Sequence, residues 1–159
     1  MTPSQARNAI KKIKAIIDPK PSKAEKQQIW QHFENQCAYC GCELNPNERQ
    51  AHLDHLVAES EGGSNRLCNL ILTCAVCNGD EKRELDWQTF LRQKCQKDNM
   101  GETQEYQQRY NKITNWVTKQ GSSAVLSNEQ QVQLESAFNK VDALYSDVVE
   151  QLRNQQKSN

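Results

Sequence analysis

Cys37-Ala38-Tyr39-Cys40 and Cys74-Ala75-Val76-Cys77 repeat one spacing, C-x-x-C, at two places in the chain. Each copy presents two thiolates from one tight turn, and two copies complete a tetrahedral shell for zinc. The insert from residue 41 to residue 73 is longer than the roughly 15–20 residues of a plain zinc ribbon. It carries His52-Leu53-Asp54-His55, Gly62-Gly63 and Asn69, and Asn78 follows Cys77 directly. A thiolate clip around a segment rich in His, Asp and Asn has the composition of a scaffold holding a reactive site. Zinc would fasten the fold, and a second metal would take part in the chemistry.

Phosphodiester hydrolysis calls for such groups. Water must lose a proton near neutral pH, and only His has an unperturbed pKa in that range. A divalent cation at the scissile phosphate neutralises developing charge and stabilises the leaving oxygen. Mg²⁺ prefers oxygen donors, takes few from protein and keeps waters that a substrate displaces. Asp54 offers a carboxylate and Asn78 an amide oxygen, and His55 adjoins Asp54. Asn69 carries both donor and acceptor and can hold the His55 segment through its backbone.

The ordered string Cys37-x-x-Cys40-Gly41, Asp54-His55, Gly62-Gly63-Ser64-Asn65, Asn69-Leu70, Cys74-x-x-Cys77-Asn78 and Lys82 resembles the HNH endonuclease family. The resemblance runs over about residues 29–93. It implies an α+β fold: a small ββα-metal HNH core with structural zinc, flanked by N-terminal helices and a C-terminal αα-hairpin. Cys37, Cys40, Cys74 and Cys77 would hold the zinc. Asp54 and Asn78 would hold the catalytic Mg²⁺ or Mn²⁺, His55 would be the general base, and Asn69 would orient it. The family cuts DNA, and sometimes RNA, leaving 5′-phosphate and 3′-hydroxyl ends. Two positions depart from its pattern. Asn78 stands where many members have His, which favours hard metals over soft ones. Glu59 replaces a Pro common after the Asp-His pair, adding a carboxylate that either joins the metal's outer shell or repels phosphate.

The remaining candidates have plainer readings. His52 reads as a supporting or structural residue, and His32 as surface or packing. Lys82, Arg66 and Arg83 are candidate phosphate contacts or solvated surface. Cys42, Cys68 and Cys95 read as small buried thiols, with Cys42 the substitute ligand nearest the first knuckle. Seven cysteines in a reducing compartment argue for metal binding rather than disulfides.

The charge is unevenly spread within a net of zero. Residues 1–34 carry seven Lys/Arg against three Asp/Glu, and residues 35–85 carry four against eight. Basic flanks around an acidic centre suit a polyanion gripped outside and a cation held inside, and equally suit ordinary solvated helix faces. No apolar run is long enough for a signal peptide or a membrane span, so the expectation is a cytoplasmic protein with no membrane partner.

These residues need elements to position them. Thr2-Pro3 reads as the cap and first turn of a helix to about Ile17, stopped by Asp18-Pro19-Lys20-Pro21. Ser22-x-x-Glu25 is a capping box opening a second helix with Ile29, Trp30 and Phe33 inward. Residues 51–57 read as a strand, 59–64 as a loop turning at Gly62-Gly63, 67–73 as strand or turn, and 75–83 as helix. Asp86 caps a helix bearing Trp87, Phe90 and Leu91. Residues 102–120 and 128–154 read as two helices of an αα-hairpin, the first ended by Gly121 and the second opened by the box Ser127-x-x-Gln130.

Three segments follow: a helical extension at 1–34, a zinc-stapled nuclease core at 35–95, and the hairpin at 96–159. The hairpin's apolar stripe reads first as core and second as a surface for a protein partner or a second copy. The function expected is a metal-dependent endonuclease acting on double-stranded DNA. The alternatives are a zinc-stapled module that binds nucleic acid without cutting it, and the nuclease subunit of a larger assembly.

Overall fold

The computed structural model describes residues 3–83, 85–95, 103–121 and 123–157. Its elements are α1 (Pro3–Ile17), α2 (Lys23–His32), β1 (Ala51–His55), β2 (Leu70–Cys74), α3 (Trp87–Cys95), α4 (Gln104–Gln120) and α5 (Asn128–Lys157). Short 3-10 turns at Glu59–Glu61 and Leu67–Asn69 and a π-type turn at Val76–Glu81 complete it. This is the α+β class expected, with a small two-stranded sheet.

The chain divides into two compact units, Lys20–Val125 and the pair Met1–Pro19 with Leu126–Asn159. The second helix joins the core because Ile29 and Phe33 are buried in it. α4 packs on α3 and on Leu67–Asn69, burying Tyr106, Ile113 and Trp116, while α5 packs on α1. Spacing along one helix reveals an apolar stripe but not which neighbour covers it. On α5, Leu134 is buried, whereas Val132, Leu144 and Leu152 stay more than half exposed. The expected Thr2 cap lies outside the described residues, as does the boundary at residue 96.

In the larger unit β1 and β2 pair antiparallel, with Asp54 opposite Ile71 and His55 opposite Leu70. Every residue of β2 is buried. Leu70, Ile71 and Leu72 meet Ile29, Phe33, Tyr39, Phe90, Leu91 and Trp116, each contributing about 1.5–3 kcal/mol when such a side chain leaves water. Caps behave as their residues dictate. Ser22 and Glu25 form both bonds of the box, Asp86 accepts from the Gln88 and Thr89 amides, and Gly121 closes α4 at φ 61°. In the smaller unit Ser127 and Gln130 exchange the same paired bonds at the start of α5. Among the described residues no helix is long and apolar enough to cross a membrane.

Candidate metal centre and catalytic cleft

The two knuckles meet. Cys37, Cys40, Cys74 and Cys77 bring all four sulfur atoms within 4.8 Å of one another. Four sulfurs at about 2.3 Å from one zinc ion stand about 3.8 Å apart, and Cys40 Sγ lies 3.8 Å from Cys74 Sγ. The donor set therefore fits a tetrahedral thiophilic ion. Its electrostatics point the same way. Thiol hydrogen bonds from Cys37 and Cys77 hold Cys40 far below the ordinary thiol range. The bond to Cys40 pushes Cys37 up to about 11, and bonds to Cys37 and Cys40 drive Cys77 far above the ordinary range. One thiolate thus opposes the next, a conflict that a bound cation removes. Cys42 is exposed and outside the cluster of four, its main-chain oxygen accepting from the Cys37 amide at 2.9 Å. Cys68 and Cys95 are buried, as read.

The first knuckle reaches further than its sulfurs. Tyr39, fully buried between its two cysteines, donates its hydroxyl to Asp54 Oδ2 at 2.9 Å. Burial, then the Asp54 charge, keeps that phenol protonated by raising its pKa far above the usual range. The Lys82 ammonium lies 2.9 Å from the same Oδ2 and donates to the His55 main-chain oxygen at 3.0 Å. Lys82 gets there because the π-type turn returns its amide to the Cys77 carbonyl, a wider loop than an α-turn. It is neither solvated surface nor a free phosphate contact. Asp54 Oδ1 has no hydrogen bond among the described residues, yet no buried side-chain oxygen is left unsatisfied, so it keeps solvent contact. A hard cation finds a suitable donor there.

His55 turns away from Asp54, as successive side chains on a strand do. Its ring lines a cleft of about 390 Å³ together with Lys20, Lys26, Trp30, His52 and Glu59. Nε2 is 3.2 Å from Asn65 Oδ1 and 3.8 Å from Glu59 Oε1. An amide oxygen at that distance suits the tautomer with the proton on Nε2, in which Nδ1 would keep the lone pair.

Asn69 holds the loop that follows. Its Oδ1 accepts from the Val57 amide at 2.8 Å, and its Nδ2 donates to Val57 O at 3.0 Å and Ser64 O at 2.9 Å. The Leu56 amide adds a bond to Asn69 O at 2.9 Å, extending the ladder past His55. Gly62 makes the turn at φ 82°. Gly63 lies so close that a Cβ there would stand 1.9 Å from Val57 O. Trp116, fully buried on α4, donates Nε1 to Leu67 O at 2.8 Å and Leu70 O at 2.9 Å, fixing both ends of the Asn69 turn.

Asn78 is half-buried on the π-type turn, and no hydrogen bond among the described residues joins it to Asp54 or His55. Arg83 is exposed and donates to Asp80 O, and Arg66 donates to Ser123 O at 3.5 Å. His32 packs on Phe33 and Trp116. Sequence reasoning passed over Tyr39 and Trp116 as site residues. A hydroxyl-bearing aromatic inside a cysteine knuckle was the available signal for Tyr39, and Trp116 left none.

A four-thiolate staple, a two-stranded antiparallel sheet and a returning helical turn define a small ββα-metal type of core. Residues 37–84 match the family model described as HNH endonuclease. No curated protein matches the chain. The match points to a nuclease or other nucleic-acid-related function with metal binding.

Proposed function

We propose that the chain is a metal-dependent HNH endonuclease that hydrolyses phosphodiester bonds in DNA. His55 is the general base, and its Nδ1 takes the proton from the attacking water. Asn65 holds the other ring nitrogen, and Asn69 keeps the loop behind the ring from moving. The observation that carries this reading is the ring of His55 lining an open cleft while Asn65 Oδ1 holds its Nε2 at 3.2 Å. Asp54, through Oδ1, and Asn78 would hold Mg²⁺ or Mn²⁺, which supplies charge neutralisation at the phosphate and at the leaving oxygen. Zinc on Cys37, Cys40, Cys74 and Cys77 would be structural. Supercoiled plasmid incubated with the protein and Mg²⁺ should be nicked by the parent and not by His55→Ala. Plasmid that is retarded in a gel but never cut would defeat this reading.

That outcome belongs to the second reading, a module that binds nucleic acid without cutting it. One observation favours it: Lys82 already supplies Asp54 with a counter-charge at 2.9 Å.

A further inference from the structure

We propose that the cleft beside His55 binds a nucleic-acid strand carrying an unpaired base, with Lys20 and Lys26 on its phosphates and Trp30 stacked on the base. The inference rests on the reading above for the class of ligand, a polyanionic nucleic acid, and adds which residues hold it and in what state.

Lys20, Lys26 and Trp30 come from the segment before the first knuckle, yet they line the same cleft as His55. Neither ammonium has an ion-pair partner among the described residues, so both are available to an anion. Glu59, 3.8 Å from His55, is the one carboxylate among the described lining residues. The positive charge of the cleft therefore lies at the two lysines, which draw the flanking phosphates of a strand whose scissile phosphate lies at His55. Trp30 is half-buried, packed on one side against the core while lining the cleft with another. Its helix is rigidly seated, because Ile29 and Phe33 are fully buried on either side of it and Ser22–Glu25 cap the start. An indole fixed in this way is an aromatic platform that needs no ordering on binding.

Base pairing decides the state of the ligand. In a duplex each base is stacked on its neighbours, so its face reaches a protein aromatic only after unstacking or flipping. A single strand, a frayed end or a flap offers that face at once. Aromatic stacking next to paired cations is how unpaired strands are held without sequence readout.

The test uses the full chain in buffer without Mg²⁺, so that no cleavage intervenes. A fluorescent oligothymidylate of roughly 16 nucleotides is read by anisotropy over a range of salt concentrations. The parent should bind it more tightly than a duplex of equal length. Lys20→Gln with Lys26→Gln should weaken binding about tenfold and flatten the salt dependence by about 1.4 in slope, the share of two phosphate contacts on a single strand. Both lysines are exposed, so this variant keeps its fold. Trp30→Leu should weaken binding about fivefold or more without changing that slope. A double glutamine variant with the parent's affinity and slope would overturn the proposal, as would a duplex that competes as well as the single strand. A parent that binds in this pattern but never nicks plasmid would leave the site standing and remove only the role of His55.

Discussion

The Lys82 ammonium bridges 2.9 Å to Asp54 Oδ2 and 3.0 Å to the main-chain oxygen of His55, tying the turn that follows the second knuckle to both members of the Asp-His pair. Asp54 and Lys82 are both buried, so each charge depends on the other. Removing one partner of such a pair costs about 3–5 kcal/mol, because the other is left uncompensated. Lys82→Met should lower stability by that amount in urea denaturation. Mg²⁺ or Mn²⁺ should then raise the melting temperature of this variant more than that of the parent, by binding the native carboxylate. Equal shifts in the two proteins would argue that Asp54 takes no cation.

His55→Ala should slow plasmid nicking by about 100-fold or more while leaving zinc content and circular dichroism unchanged. The ring is half-buried and lines a cleft rather than the core, so the fold does not depend on it.

Asn69→Ala should behave in the opposite way. It strands the Val57 amide and the Val57 and Ser64 carbonyls, each costing about 1–3 kcal/mol where water cannot replace the lost bond. The denaturation midpoint should fall, and Asn69→Asp should not rescue it, because it turns a second acceptor onto the Val57 and Ser64 carbonyls.

Cys74→Ala should release the metal and unfold the larger unit, since structural zinc contributes much of the folding free energy of so small a core. Metal analysis of the parent should find one zinc per chain and of the variant none. Retention of a full zinc by the variant would count against the four-thiolate centre.

Ser22→Ala should cost about 1 kcal/mol by removing the cap of α2. The two Ser22 hydrogen bonds hold the Glu25 carboxyl below its ordinary pKa. A depressed carboxyl contributes stability above its unfolded pKa and loses it as pH falls through the folded value. The parent should therefore lose this increment on acidification below about pH 4.5, and Ser22→Ala should show a smaller loss over the same range.

Much of the architecture was legible because its signals are local. The C-x-x-C spacing, the capping boxes at Ser22 and Ser127, the stop at Gly121 and the apolar run Leu70–Leu72 each act over a few residues of chain. The ordered motif likewise marked out the segment that the HNH model matches. What escaped was partnership. Lys82 reads as a surface cation by composition, and it is buried only because a π-type turn and Asp54 meet in space. The apolar stripes of α4 and α5 are legible from spacing, but not that α3 and Leu67–Asn69 cover the first and α1 the second.

The chain by itself determined the donor set for a metal, the Asp-His pair at the end of a strand, and where helices begin and end. These depend on residue type and on spacings shorter than a few turns. Only the tertiary structure decided that His55 faces a cleft shared with Lys20, Lys26 and Trp30 while Asp54 faces Tyr39 and Lys82. Strand alternation sends neighbouring side chains to opposite faces, but what waits on each face is supplied by segments distant in sequence, and those meet only when the core closes.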